Sequence, residues 1–200
     1  MQKYFVSPPK DCRITPVLRY DMRMNVSDED LALAAAGGDG AAYQLLLTRV
    51  YDRLFGLCFR LTGSRTEAED LTQDICLALP GKLSGYRAQA KVTTWLYRVA
   101  VNAATDRRRR KASYTRATQG WGAWEVDRVQ TAQEATAGAR WLYRTMALLP
   151  THLHDTLALV LDDVTHAEAA EILGVSEGTI SWRVAEAKKK LREIKEREDA

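Results

Sequence analysis

The sequence predicts an all-α fold of two small helical domains joined by a flexible linker, and three observations carry that prediction. In every patterned segment the apolar residues recur at helical spacing, with no sustained alternation of the kind a strand needs. Most of these segments open on a residue able to cap a helix and close on Gly or Pro. Between the two patterned blocks, residues 114–136 keep no steady period.

Residues 1–26 come first, with Pro8, Pro9 and Pro16 and no period, and are expected to form a disordered arm. Met22 and Met24 offer alternative starting points. Ser27 can cap a helix over Asp28, Glu29 and Asp30, whose charges suit a positive helix N-terminus, and Gly37, Gly38 and Gly40 break it. A helix over 41–62 follows, carrying Tyr43, Leu46, Leu47, Val50, Leu54, Leu57, Cys58 and Leu61 at helical spacing; Gly63 supplies its left-handed end. Ser64, Arg65, Thr66 and Glu67 have the form of a capping box. The helix they open has Ala68, Leu71, Ile75 and Leu79 inward, and Pro80 and Gly81 are expected to stop it. Beside that core stripe Asp70, Gln73, Asp74 and Leu77 recur at i, i+3, i+4 and i+7. Such a strip is either a docking surface or a solvated face.

After a loop containing Gly85, Tyr86 and Arg87, a central helix begins at Val92. Val92, Trp95, Leu96, Val99 and Ala103 make one apolar stripe, while Thr94, Arg98, Asn102, Thr105 and Arg109 line the other face. The helix ends in the basic run Arg107, Arg108, Arg109, Arg110 and Lys111. One side anchors the helix and the other is offered to an anion, and the expected anion is a nucleic-acid backbone. The first domain therefore spans 27–113 and the linker 114–138, with Trp121 and Trp124 expected to lie on some surface.

The second domain spans 139–195, and 196–200 form a tail. Trp141, Leu142, Met146 and Leu149 mark its first helix; Leu153, Leu157, Val160 and Leu161 mark the second after Pro150. Thr165 caps a third with Ala169, Ala170, Ile172 and Leu173 inward. Ser176 caps the last, with Ile180, Val184, Ala187 and Leu191 inward and a lysine run behind. Ala170, Gly174 and Ile180 stand at the spacing of a helix-turn-helix: a small residue for close crossing, Gly for the turn, and Ile to lock the second helix. The N-terminal half of that second helix would enter a major groove, presenting Glu177, Thr179, Ser181, Trp182 and Arg183.

Net charge is only +3, yet basic residues gather at 107–111 and 188–197 and acids at 28–30, 67–74 and 125–127. Cys12, Cys58 and Cys76 are odd in number, far apart and outside any zinc spacing, and are expected as reduced thiols. An enzyme finds little support: His152, His154 and His166 lack a completing ligand set and are expected on the surface, and no phosphate loop or nucleophile motif is present. No cofactor or metal is expected. The sequence has neither a span-length apolar run nor a secretory signal, so a cytoplasmic location without membrane insertion is expected.

Three stretches together resemble the extracytoplasmic-function (ECF) sigma factors of the sigma-70 family. They are Ala-Glu-Asp-Leu-Thr-Gln-Asp at 68–74, Thr-Trp-Leu-Tyr-Arg-Val-Ala-Val-Asn at 94–102 with Asp106-Arg107, and Ala-Ala-Glu-Ile-Leu-Gly-Val-Ser-Glu-Gly-Thr-Ile at 169–180. The resemblance implies a sigma region 2 over the first domain and a region 4 over the second. It implies that Asp70, Gln73, Asp74 and Leu77 bind the beta-prime clamp helices of core RNA polymerase, and that region 4 reaches the beta flap. It places Tyr86, Arg87, Trp95, Arg98, Asn102, Arg107 and Arg109 at the promoter minus-ten element, where a flipped base needs a pocket and the strand needs cations. Trp95, lying in the apolar stripe, fits a core anchor at least as well. Ser176, Thr179, Ser181, Trp182, Arg183 and Lys188 fall at the minus-thirty-five element. Ser181 and Trp182 replace a commonly basic and a small residue, and Glu186 a frequently basic one, so the docking mode carries over and the recognised sequence does not. An anti-sigma factor is the further partner implied.

Two other readings compete. A sigma-like mimic that binds an anti-sigma factor without promoters would have no use for the basic run or Arg183. A dimeric helix-turn-helix repressor would leave the acidic strip unexplained.

Overall fold

The computed structural model describes residues 26–117 and 137–199, and all regular structure in them is α-helical. The helices are α1 (Asp28–Ala36), α2 (Gly40–Thr62), α3 (Arg65–Leu83), α4 (Val92–Ala117), α5 (Ala137–Met146), α6 (Thr151–Val160), α7 (His166–Leu173) and α8 (Glu177–Glu198). The expected arm lies outside the described residues up to position 25, and so do 118–136 with Trp121 and Trp124.

Caps set most helix starts. Ser27 accepts from the Asp30 N–H at 3.1 Å, Asp39 from the Ala41 and Ala42 N–H groups, and Ser176 from that of Thr179. Thr165 and Glu168 form a complete capping box. Only half of the box expected at Ser64 is made: the serine accepts from the Glu67 N–H, but the Glu67 carboxylate turns to Lys111 at 2.8 Å. The central helix is capped from a distance, the Glu29 carboxylate on α1 accepting from the Val92 N–H.

Helix α3 does not stop at Pro80. It runs to Leu83 because Leu79 and Leu83 are buried in the core, and because the carbonyl that proline leaves unpaired, that of Cys76, accepts the Tyr43 hydroxyl at 2.6 Å. Two other boundaries also move outward. Helix α4 continues to Ala117, into the expected linker. Helix α8 continues to Glu198, through the expected tail, where Glu198 accepts from the Trp141 indole at 2.6 Å and pairs with Arg144.

Helices α1 to α4 enclose one core, with Leu46, Leu54, Leu57, Leu71, Leu79 and Val92 among its most buried side chains. Helices α6 to α8 pack together around Leu153, Leu159 and Ile180. In the turn between α7 and α8, Gly174 takes φ 64°, the left-handed conformation foreseen for it, and Ala170 and Ile180 are buried.

The two groups also pack on each other, α4 against α7 and α2 against α6. This changes the reading of α4. Val92 and Leu96 are buried as expected, but Thr94, placed on the polar face, is buried too, with Tyr97, Ala100, Val101 and Ala104. The helix has a second packed side.

Candidate nucleic-acid interface

On α3 the strip is offered outward: Asp70, Gln73 and Asp74 are exposed, and Leu77 is 75 % exposed. An apolar side chain left so open beside carboxylates is what a docking surface needs. The carboxylates are not solitary. Arg107 reaches Asp70 at 3.1 Å and Asp74 at 3.5 Å. Asp106 takes Arg109 at 3.0 Å.

The loop before α4 is built differently from its expected role. Tyr86 is only 3 % exposed; its hydroxyl donates to the Ala90 carbonyl at 2.8 Å. Its ring lies 5.4 Å from that of Trp95, tilted by 56°. Tyr86 is thus a support of the loop and, in this arrangement, is not presented to a nucleic acid. Trp95 is half-buried on it, as an anchor would be. Arg87 is exposed and donates to the Ser84 carbonyl at 2.8 Å, and Ala88 holds the loop's turn with φ 53°.

Asn102 is exposed on α4. Arg98, one turn before it, is occupied by the second helical group: it donates to the Glu171 carbonyl at 2.7 Å and lies 3.4 Å from the Glu171 carboxylate. Around this contact runs a ring of further pairs between the groups. Lys91 meets Glu168 at 2.9 Å, and Arg108 grips Asp155 with two nitrogens at 2.7 and 3.0 Å. Arg60 donates to the Ala158 carbonyl and pairs with Asp162, which also accepts the Tyr97 hydroxyl. Phe59 and Tyr143 meet edge to face at 5.1 Å. The charges respond as they should: Lys91 holds its proton more tightly beside Glu168, and the Lys91 ammonium and Thr165 hydroxyl draw Glu168 below its ordinary value. Burial, then the Asp162 carboxylate, raise the Tyr97 phenol.

None of these pairings was legible in advance, since helical periodicity says which side is buried and not against what. The signals present were single residues: Tyr97 beside the apolar stripe, and adjacent Asp162 and Asp163 on a closing turn.

On α8, Ser181 and Trp182 are exposed near the helix start, with Thr179 and Arg183 half-exposed and Lys188 exposed further along. Ser176 is spent on capping, its hydroxyl 2.8 Å from that of Thr179. Ser181 lies 3.0 Å from Nδ1 of His166 on α7.

His154, expected on the surface, is largely enclosed, its ring nitrogen 3.1 Å from Asp155. Cys58 and Cys76 are free thiols, and burial pushes Cys58 up to about 11; Cys12 lies outside the described residues. No group of three potential metal ligands and no helix long and apolar enough to cross a membrane occurs among the described residues.

Comparison with known proteins gives these surfaces a context. The family model described as sigma-70 region 2 matches residues 46–114, and that described as sigma-70, region 4 matches 139–191. The chain is 34 % identical over 178 residues to the ECF RNA polymerase sigma factor SigM of Mycobacterium tuberculosis, covering 88 % of each. It is 26 % identical over 167 residues to the ECF RNA polymerase sigma factor SigW of Bacillus subtilis, covering 78 % of this chain and 89 % of that one. Its fold is similar to the sigma factor RpoE of Bartonella quintana, solved with the anti-sigma factor NepR, at TM-score 0.67 and 21 % identity over 77 % of this chain and 96 % of that one. It is also similar to CnrH, solved with the cytosolic domain of CnrY, at TM-score 0.61 and 22 % identity over 84 % and 97 %.

Proposed function

The chain belongs to the ECF sigma factors of the sigma-70 family and directs RNA polymerase to promoters; from that premise we propose how its residues divide the work. Helix α3 docks on the beta-prime clamp helices through Asp70, Gln73, Asp74 and Leu77, the exposed leucine supplying apolar area and the carboxylates charge complementarity. Arg98 and Asn102 on α4, with Arg87, Arg107 and Arg109, hold the melted minus-ten strand. Tyr86 and Trp95 hold the loop that presents them. The start of α8, with Thr179, Ser181, Trp182 and Arg183, enters the minus-thirty-five major groove, Lys188 lies toward the phosphates, and region 4 rests on the beta flap.

The observation that carries this division is the occupied state of Arg98. The Arg98 guanidinium, which this reading assigns to the promoter strand, is bound instead to Glu171 on the helix-turn-helix. The described arrangement is therefore a closed form, and promoter engagement requires region 4 to leave α4. An anti-sigma factor fits as the partner that holds the closed form. Work at promoters supports a location at the chromosome, in the cytoplasm.

The test is run-off transcription on a fragmented genome of the source organism, with core polymerase plus or minus the chain. Promoter-specific transcripts should vanish with Arg98→Ala plus Asn102→Ala while core binding survives, and should vanish together with core binding in Asp70→Ala plus Asp74→Ala. Retained core binding in the second pair would overturn the assigned docking surface.

A further inference from the structure

The acidic strip of α3 and the basic run of α4 are antiparallel and joined. Glu67 meets Lys111 at 2.8 Å, and one turn further along, Arg107 bridges Asp70 at 3.1 Å and Asp74 at 3.5 Å with its two terminal nitrogens. The N–H groups of Arg107 that reach these carboxylates are the ones a phosphate would need. The carboxylate oxygens they reach are the ones a polymerase cation would need. Both partners are therefore spent on each other in the free chain.

The joint is exchangeable and not a strut. Side-chain exposure is 35 % for Arg107, 57 % for Asp70 and 71 % for Asp74, and ion pairs this open to water are worth about 1 kcal/mol or less. Water reaches both sides, so a competing charge can displace either. The core of the first domain does not depend on them: α3 and α4 are already held by Leu71, Ile75, Leu79, Leu96 and Ala100, all buried.

We propose that Arg107 is a shared cation that couples polymerase docking to DNA binding. In the free chain Asp70 and Asp74 hold it; when polymerase cations take those carboxylates, Arg107 is released to the phosphates of the single strand. By linkage the reverse also holds, and a strand that captures Arg107 leaves the strip more open to polymerase. The inference rests on the reading of Asp70 and Asp74 as the polymerase contact. It makes Arg107 a positioning residue toward polymerase and a contact residue toward DNA.

The experiment is a double-mutant cycle on the full chain, read by fluorescence anisotropy with a fluorescein-labelled single strand of mixed sequence, about 20 nucleotides long, across a salt series. Asp70→Asn plus Asp74→Asn should tighten binding about threefold to tenfold and steepen the log–log salt slope by about 0.7, one added phosphate contact on a single strand. In an Arg107→Gln background the same pair should add neither. The charge-matched pair Asp52→Asn plus Glu196→Gln, two exposed carboxylates, reports general repulsion and should leave the slope unchanged. An equal gain with and without Arg107 would overturn the exchange, as would a gain matched by the control pair.

A second arm measures binding to core polymerase. Arg107→Gln should bind core more tightly than the wild type, about twofold or more, because the strip is uncovered; a mere strap would weaken it. If Asp70→Asn plus Asp74→Asn leaves core binding unchanged, the docking assignment fails, and the DNA cycle still decides whether Arg107 and the carboxylates compete.

Discussion

The Tyr43 hydroxyl on α2 donates to the Cys76 carbonyl on α3 at 2.6 Å, and that is the carbonyl whose helical partner Pro80 has removed. One phenol thus lets a proline sit inside a helix.

It follows that Tyr43→Phe costs about 1–2 kcal/mol, the loss of a half-buried hydrogen bond that leaves a carbonyl unpaired. Pro80→Ala in the same background restores an N–H to Cys76 and should recover most of that loss. Denaturant unfolding of the two single variants and the double closes the cycle. Independent, additive effects would show that the phenol and the proline are unrelated.

Pro80 also shows where reading the sequence stops. A proline is a local signal to end a helix, and the hydroxyl that overrides it lies on another helix, far away in sequence. The same division holds throughout. Caps at Ser27, Thr165 and Ser176, the left-handed Gly174 and the apolar faces of α2, α3 and α8 are local and were all legible. The burial of Thr94 and the enclosure of His154 depend on one helical group meeting the other, which no period encodes. The site divides likewise: Asp70, Asp74, Arg98 and Asn102 could be named as candidates from spacing and resemblance, but not that Arg107 would pair with both aspartates and Glu171 with the arginine. The burial of Tyr86 against Trp95 was not legible either, because an aromatic in a basic loop looks the same whether it faces a base or a tryptophan.

Ala88 carries φ 53° in the loop before α4, a conformation that costs a residue with a Cβ about 1–2 kcal/mol. Ala88→Gly should raise the denaturant midpoint by the equivalent of about 1 kcal/mol with an unchanged slope. A lowered midpoint would mean that the loop gains more from the methyl group than it loses in backbone strain.

Glu168 yields a pH prediction. The Lys91 ammonium, then the Thr165 hydroxyl and N–H, hold its carboxyl below the ordinary 4.5. A depressed carboxylate contributes stability that is present above the unfolded value and is lost as the pH falls through the folded one. Glu168→Gln keeps a side chain able to complete the capping box but removes the charge. The melting temperature of the wild type should therefore exceed that of the variant at neutral pH, and the gap should close below about pH 4.5. A gap that persisted in acid would assign the difference to packing.

The Asp162 carboxylate is the joint on which the closed form turns. It receives Arg60 from α2 and the Tyr97 hydroxyl from α4, and the two ions are shielded, with side-chain exposures of 12 % for Arg60 and 18 % for Asp162. Removing one partner of a buried pair costs about 3–5 kcal/mol when burial is complete, and somewhat less here. Asp162→Asn keeps the size and a hydrogen-bond acceptor but leaves Arg60 without its counter-charge. Both residues belong to the contact between the two helical groups, so the cost falls on closure and not on either core. A shift of about 3 kcal/mol moves an equilibrium more than a hundredfold, which takes a chain closed at 99:1 to roughly half open. Fluorescence transfer between dyes at exposed positions of the two domains should fall in Asp162→Asn, and far-ultraviolet circular dichroism should be unchanged. Opening frees Arg98 from Glu171, so the variant should also bind a single strand more tightly at low salt, a gain that Arg98→Ala abolishes. Unchanged transfer would mean that the Arg108–Asp155 grip suffices to hold the domains together. Adding Asp155→Asn should then release them.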